Sequence, residues 1–255
     1  MNQTRMKASI LSAAGAALAV GCAAPLHGQT LLRMTPAEGQ VSRYVVEAET
    51  SMAGTVMSTQ SLYRTETIAS VRGDAIEVQA VVDSSAVTEA MPGAGGPDLS
   101  GMSYAFSMDP RARVTGLTDA GTLSAATEPA VRAMLGTSFF ELPEGEVSPG
   151  DSWSGQVTTE IPAGMGGTMT METDVTYTFA GLDGDRAKIS LEGTVTMSGS
   201  AAGMTMDGTG SVSGTAIFDT GRSRLDSHDS VLDVNINAGG MAMSMQTTTT
   251  RNIIS

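Results

Sequence analysis

"MTMETDVTYTFAGLDGDRAKISLEGTVTM", residues 169–197, decides the fold class. Odd positions from 169 to 179 read Met, Met, Thr, Val, Tyr, Phe; the even ones read Thr, Glu, Asp, Thr, Thr. This period of two gives a strand with one apolar and one wet face. β-branched Thr and Val favour the same conformation. Asp183-Gly184-Asp185 is a hairpin-turn signal. A three-residue loop there sets Phe179 opposite Ile189, Tyr177 opposite Leu191 and Met171 opposite Met197. A two-residue loop would face Ile189 with Thr178, apolar against polar. The expected loop is therefore Asp183–Asp185.

The pattern recurs upstream. "TIASVRGDAI" (67–76) matches "TFAGLDGDRA" (178–187), with Gly73 on Gly184 and Asp74 on Asp185. "MDPRARV" (108–114) matches "FDTGRSRL" (218–225) at nearly the same offset. A spacing this long is no solenoid period. The expectation is an all-β protein: two tandem antiparallel, curved β-sheet or half-barrel units, residues 41–120 and 152–255, with one short connecting helix. Residues 22–40 read as an N-terminal linker. "MPGAGGPDLSG" (91–101) reads as a flexible loop inside the first unit. Between the units, residues 121–151, Thr127 is a candidate N-cap ahead of Glu128 and Pro129. An apolar run follows, and Gly136 is the expected stop. The helix is placed at about 127–136, and "LPEGEVSPGDSW" (142–153) is a turn-rich connector ending at Trp153.

"FSMDPRARV" (106–114) followed by "LPEGEVSPGDSW" resembles a class of exported bacterial β-domain proteins and lipoproteins of unknown function. Those carry an aspartate-arginine strand, a short helix and an LP…V..GD.W connector. The likeness spans roughly residues 43–254, implies an envelope β fold and lends no catalytic residue. At the level of fold alone the chain is similar to carrier lipoproteins built on an open β-barrel.

The N-terminus reads as a secretory signal. Arg5 and Lys7 precede the uncharged run "ASILSAAGAALAVG" (8–21). That run is too short to span a bilayer, which takes about 20 apolar residues. Two processing readings stand. In one, residues 1–21 are the signal and "LAVGC" is a lipobox whose Cys22 is lipidated. In the other, the cut falls near residue 28 and Cys22 is discarded. Either way the chain is exported, as a periplasmic or outer-membrane lipoprotein or a secreted protein. Cys22 is the only cysteine, so no internal disulfide forms. The formal charge is −13, and Lys188 is the only lysine beyond the signal. Such a chain is repelled by nucleic acid and by anionic lipid, so membrane attachment is through a lipid anchor.

No catalytic motif is present. His228, between Asp226 and Asp229, offers a His-Asp dyad or, more simply, a polar residue on a solvated strand edge. Asp183 and Asp185 are too few carboxylates for a calcium loop. No metal site and no cofactor are assigned, and the expectation is a non-enzyme. Methionine is the anomaly, with 18 in the chain. Gly239-Gly240 in "DVNINAGGMAMSMQT" (233–247) reads as a two-residue turn. Met241 then faces Ala238, Met243 faces Ile236 and Met245 faces Val234. A tight turn at Ala201-Ala202 would set Met197 against Met206. Met171, Met197, Met206, Val234, Ile236, Met241, Met243 and Met245 thus form a candidate apolar ligand face for a small molecule or lipid. The alternative is a thioether Cu(I) site in a periplasmic protein.

If Cys22 carries the anchor, Cys22→Ala releases the chain from membranes. The check is fractionation with N-terminal sequencing; a wild-type chain that is already soluble and starts at Gln29 removes the lipoprotein reading.

Overall fold

A computed structural model describes residues 28–89, 97–119, 123–124, 127–138, 141–163, 167–201 and 204–254. Cys22, His27, the signal segment and most of the 91–101 loop lie outside them. The elements are β1 (Thr30–Leu31), β2 (Val41–Met52), β3 (Thr55–Arg72), β4 (Ala75–Glu89), β5 (Ser103–Met108), β6 (Val114–Asp119), α1 (Glu128–Ser138), β7 (Glu146–Val147), β8 (Ser152–Ala163), β9 (Gly167–Asp183), β10 (Arg186–Ala201), β11 (Met204–Asp219), β12 (Arg224–Ala238) and β13 (Met241–Ile253).

The protein is all-β, as its alternation demands. One antiparallel sheet runs β6-β5-β4-β3-β2-β13-β12-β11-β10-β9-β8, and β1 pairs with β7 apart from it. The two expected units are therefore two meanders laid side by side in one sheet, with β13 as the seam between β12 and β2. Side chains from β3, β4, β5, β9, β10 and β11 share one core with Val131 and Leu135 of α1. Strands far apart in the sheet order reach that common core because the sheet curls on itself. It does not close: β6 and β8 remain the edges, and α1 contacts both.

The matched stretches occupy matching places. Gly73 and Gly184 both have φ 60° at the first position of two-residue turns. In each case one extra residue sits just before the turn, Ala69 in β3 and Ala180 in β9. That bulge corrects the three-residue loop. The loop is Gly184-Asp185 alone, and Ala180 restores the register, so that Phe179 pairs with Ile189, Tyr177 with Leu191 and Met171 with Met197. The second match also shares local geometry. Ala112 and Ser223 are both left-handed, at φ 63° and 50°, and each precedes an arginine. Asp109 and Asp219 each accept backbone N–H bonds across their loop.

Other expectations change. Residues 30–34 are packed plug, not linker: Leu32 is fully buried, and Met34 donates its N–H to Pro110 O at 2.8 Å. Leu99, expected in a loose loop, is buried beside a turn that bonds to Val82. Gly136 does not stop α1 but lies within it. A Cβ there would sit 2.9 Å from Thr159 Oγ1, so glycine lets the helix seat on β8. The connector is tied down by its own residues. Asp151 Oδ2 accepts Ser148 N–H at 2.8 Å, Asp151 O accepts Phe179 N–H at 2.9 Å, and Trp153 donates Nε1–H to Glu141 O at 2.6 Å. Arg111 ties the same stretch to the first meander through Glu141 at 2.6 Å and Glu144 at 2.8 Å.

Curling needs close strand approach on the inner face. Gly193, Gly199, Gly210 and Gly214 stand at inward positions of β10 and β11 and leave no room for a side chain. A Cβ on Gly210 would lie 1.9 Å from Asp233 O, which is backbone and cannot swing away. Gly210→Ala is expected to destabilise the fold by on the order of 3 kcal/mol, read as a shift in the urea midpoint.

Candidate functional site

The inner face divides along the strands. Toward the loops at 109–113 and 219–224 it carries Tyr104, Phe106, Phe179, Phe218 and Ile189, all essentially buried. Toward the Gly239-Gly240 turn it carries a second cluster of Met169, Met171, Val195, Met197, Val234 and Ile236, with Met206, Leu232 and Met245 half-buried against it. A cavity of about 130 Å³ opens near the join, walled by Met171, Val175, Tyr177, Leu191, Val212 and Leu232 and by the polar Thr159, Thr173, Ser230, Thr247 and Thr249, with Gly136 of α1 also in its lining. A void of this size holds a benzene-sized group.

The proposed face residues divide accordingly. Gly239 and Gly240 take φ 58° and 88°, both positive as a type I′ turn requires. Met241 pairs with Ala238, Met243 with Ile236 and Met245 with Val234. Val234 and Ile236 are buried, Met243 and Met245 half-buried, and Met241 is 65% exposed. The hairpin end carries Met241 out of the core. Met197 and Met206 are not opposite one another: Met197 pairs with Gly208 and Met206 with Gly199. That hairpin closes with Ala201 against Met204, so the expected pairing is off by two residues while the face is kept.

His228 corrects its expectation. It is buried, not on a solvated edge, and its ring lines the cavity. Asp229 is exposed on the opposite face, and Asp226 is engaged by Arg224 at 3.1 Å. Burial, aided by the Arg251 charge, pushes the His228 pKa down to about 4. The imidazole is therefore neutral at pH 7.

Beside it lies a buried ionic layer absent from the sequence reading. Arg64 Nη2 meets Glu66 Oε1 at 2.7 Å, and Arg251 Nη2 donates to Glu66 Oε2 at 3.3 Å. Arg64 Nη1 donates to the Tyr104 hydroxyl at 3.1 Å, and the Arg251 guanidinium stacks 3.8 Å above the Tyr44 ring. Burial opposes the Arg64 charge, but Glu66 and Tyr104 outweigh it and hold the guanidinium more firmly protonated than usual. A signal for these residues was present. In "LYRTETI" (62–68), Arg64 and Glu66 share the parity of Leu62 and Ile68, and Arg251 shares the parity of Met243 and Met245. Among the described residues, no group of three or more His, Cys, Asp or Glu could hold a metal ion. Asp185 is an exposed turn residue and Asp183 the exposed last residue of β9. No helix among the described residues is long and apolar enough to cross a membrane.

A model of DUF6263, a family of unknown function, matches residues 124–222. That stretch runs from the start of α1 to the loop after β11. No curated protein matches the chain. Among solved structures, the chain is similar to one described as an exported protein with YmcC-like fold from Bacteroides fragilis. The two are 9% identical, the match covers 89% of this chain and 100% of that one, and the TM-score is 0.33.

His228 makes stability pH-dependent with a definite sign. Above about pH 6.5 the folded and unfolded chains both hold it neutral. Between pH 6.5 and 4 only the unfolded chain takes up the proton, so stability falls, by on the order of 3 kcal/mol at the acid end. Urea unfolding at pH 7.5 and pH 4.5 checks this: His228→Gln loses less stability across that interval than wild type.

Proposed function

We propose that this chain is a non-catalytic, exported cell-envelope protein that binds an apolar ligand inside its curled sheet. The observation that carries this is the cavity walled by Met171, Val175, Tyr177, Leu191, Val212 and Leu232. The same wall carries Thr159, Thr173, Ser230, Thr247, Thr249 and the neutral His228, and the aliphatic and thioether chains make up its apolar part. They offer dispersion and exclusion of water, which suits a hydrocarbon segment. The half-buried methionines next to the cavity re-pack around ligands of differing shape at small cost. The N-terminal signal, with Cys22 as anchor, supports placement at the envelope. The negative surface supports a role that involves neither nucleic acid nor direct contact with anionic lipid.

Copper is the competing reading, favoured by Met169, Met171 and Met197 being buried in one cluster. Their neighbours Val195, Val234 and Ile236 are aliphatic, which is the environment of packing. Two titrations separate the readings. An uncharged apolar probe, octan-1-ol, is expected to bind wild type and to lose affinity by about tenfold or more in Leu191→Trp, whose indole fills the void. Thermal melting of the variant guards against misfolding. Cu(I) is expected to titrate identically into wild type and into a Met171→Leu/Met197→Leu variant. Loss of Cu(I) binding in that variant, with no octanol bound by wild type, overturns the apolar reading.

A further inference from the structure

The inward positions of β13 change character along the strand. Met241, Met243 and Met245 give way to Thr247 and Thr249, and these to Arg251. In β12, Leu232 stands opposite Thr247 and Ser230 opposite Thr249. All four of these side chains are half-buried and line the cavity of about 130 Å³. Thr159 of β8 and Thr173 of β9 add two more hydroxyls to its lining. The cavity is therefore two-natured, with hydrocarbon from Met171, Val175, Leu191 and Leu232 and hydroxyls between and beside them.

Those hydroxyls are not all spoken for. Thr247 shares a hydrogen bond with Thr50 at 3.2 Å. Thr159 is only 5% exposed, and its Oγ1 meets no hydrogen-bond partner among the described residues. A buried hydroxyl without a partner costs free energy that a ligand's own hydrogen-bonding group recovers. Charge is another matter. Among the described residues no Asp, Glu, Lys or Arg lines the cavity, and the His228 in its wall is neutral at pH 7. Arg251 stands outside the lining, paired with Glu66 at 3.3 Å and stacked 3.8 Å above the Tyr44 ring. A carboxylate or ammonium entering here loses its hydration and meets no counter-charge.

We infer that the ligand is a neutral amphiphile of the alcohol class, a hydrocarbon body carrying one uncharged hydrogen-bonding group. The body lies against Met171, Val175, Leu191 and Leu232, and the polar group among the hydroxyls of Thr159, Ser230 and Thr249. An alcohol both donates and accepts, as Ser and Thr do, so it matches this set whichever oxygen supplies the proton. The inference rests on the apolar-cavity reading above and adds the polar group and its lack of charge.

The test titrates benzyl alcohol, toluene and benzoate, probes of nearly one size, into the full chain at pH 7.5 by calorimetry. In a wall of hydrocarbon alone toluene binds more tightly than the alcohol, which gives up more hydration on entry. Here benzyl alcohol is expected to bind wild type at least as tightly as toluene, and about tenfold or more tightly than benzoate. Thr159→Val/Ser230→Ala/Thr249→Val removes three hydroxyls and keeps the shape of the wall nearly unchanged. That variant is expected to lose about tenfold or more in affinity for benzyl alcohol and none for toluene. Ser230→Ala/Thr249→Val, expected to move the same way, covers the case in which the triple variant does not fold. Tighter binding of toluene than of the alcohol to wild type overturns the inference and leaves the apolar cavity standing. Benzoate binding as tightly as the alcohol overturns it too, as does an unchanged affinity for the alcohol in the folded variants. If none of the three probes binds wild type, the cavity reading itself fails, and this inference with it.

Discussion

Every long strand here presents one apolar face, and the only other sheet among the described residues, the two-residue strands β1 and β7, is too small to cover it. A single sheet of eleven strands can bury one face only by curling around it. The rest of the structure follows from that constraint. The inner face must tolerate strands that approach too closely for side chains, hence the inward glycines of β10 and β11. The rolled edges must be managed, because exposed edges recruit other strands. α1 and the connector lie in the gap between β6 and β8. One end of the roll must also be shut, and residues 30–34, 109–113 and 141–147 shut it. Arg33, for example, donates to Pro143 O and Glu144 O, and Arg111 to Leu142 O at 3.0 Å.

The legible parts were those set by local rules. Alternation from Met169 to Phe179 named the strand and its inner face. Gly239-Gly240 fixed the β12–β13 register, since two consecutive glycines allow the positive φ pair that a tight primed turn needs. Two errors came where two local rules act together. At Gly184 the turn is one residue shorter than expected and Ala180 is one residue extra, so the two deviations cancel in the register. A bulge leaves no mark in composition, and the parity test placed the extra residue in the loop instead of in the strand. At Ala201 no glycine pair or Asn-Gly signal marked the turn, and the pairing slid by two residues. What lay beyond reach was tertiary. Nothing in residues 30–34 announces that they plug a roll, and Gly136 looks the same as a helix stop and as a contact point against Thr159.

The ionic layer shows a subtler limit. Arg64, Glu66 and Arg251 break the apolar parity of their strands, which was readable. Their mutual distance was not, because Glu66 and Arg251 lie 185 positions apart in the chain. Only the seam between β13 and β2 brings them together. Charges on an inward face are costly when considered strand by strand and become tolerable as a group. The same seam that joins the two meanders therefore also assembles the buried ionic group.

The two ends of the interior are packed with different kinds of side chain. The closed end is filled by rings and branched aliphatics such as Tyr104, Phe106, Phe179, Phe218 and Ile189, which pack in few arrangements and define a rigid core. Beyond the polar layer the inner face carries Met171, Met197, Met206 and Met245, which are unbranched and hold shape less strictly. A core needing only stability would gain from leucine or valine there, with their narrower choice of rotamers. A wall that must close when empty and yield when filled gains from thioether chains. The interior thus grades from rigid aromatics at its closed end to pliable methionines at the other, which is the property the proposed binding of an apolar guest draws on.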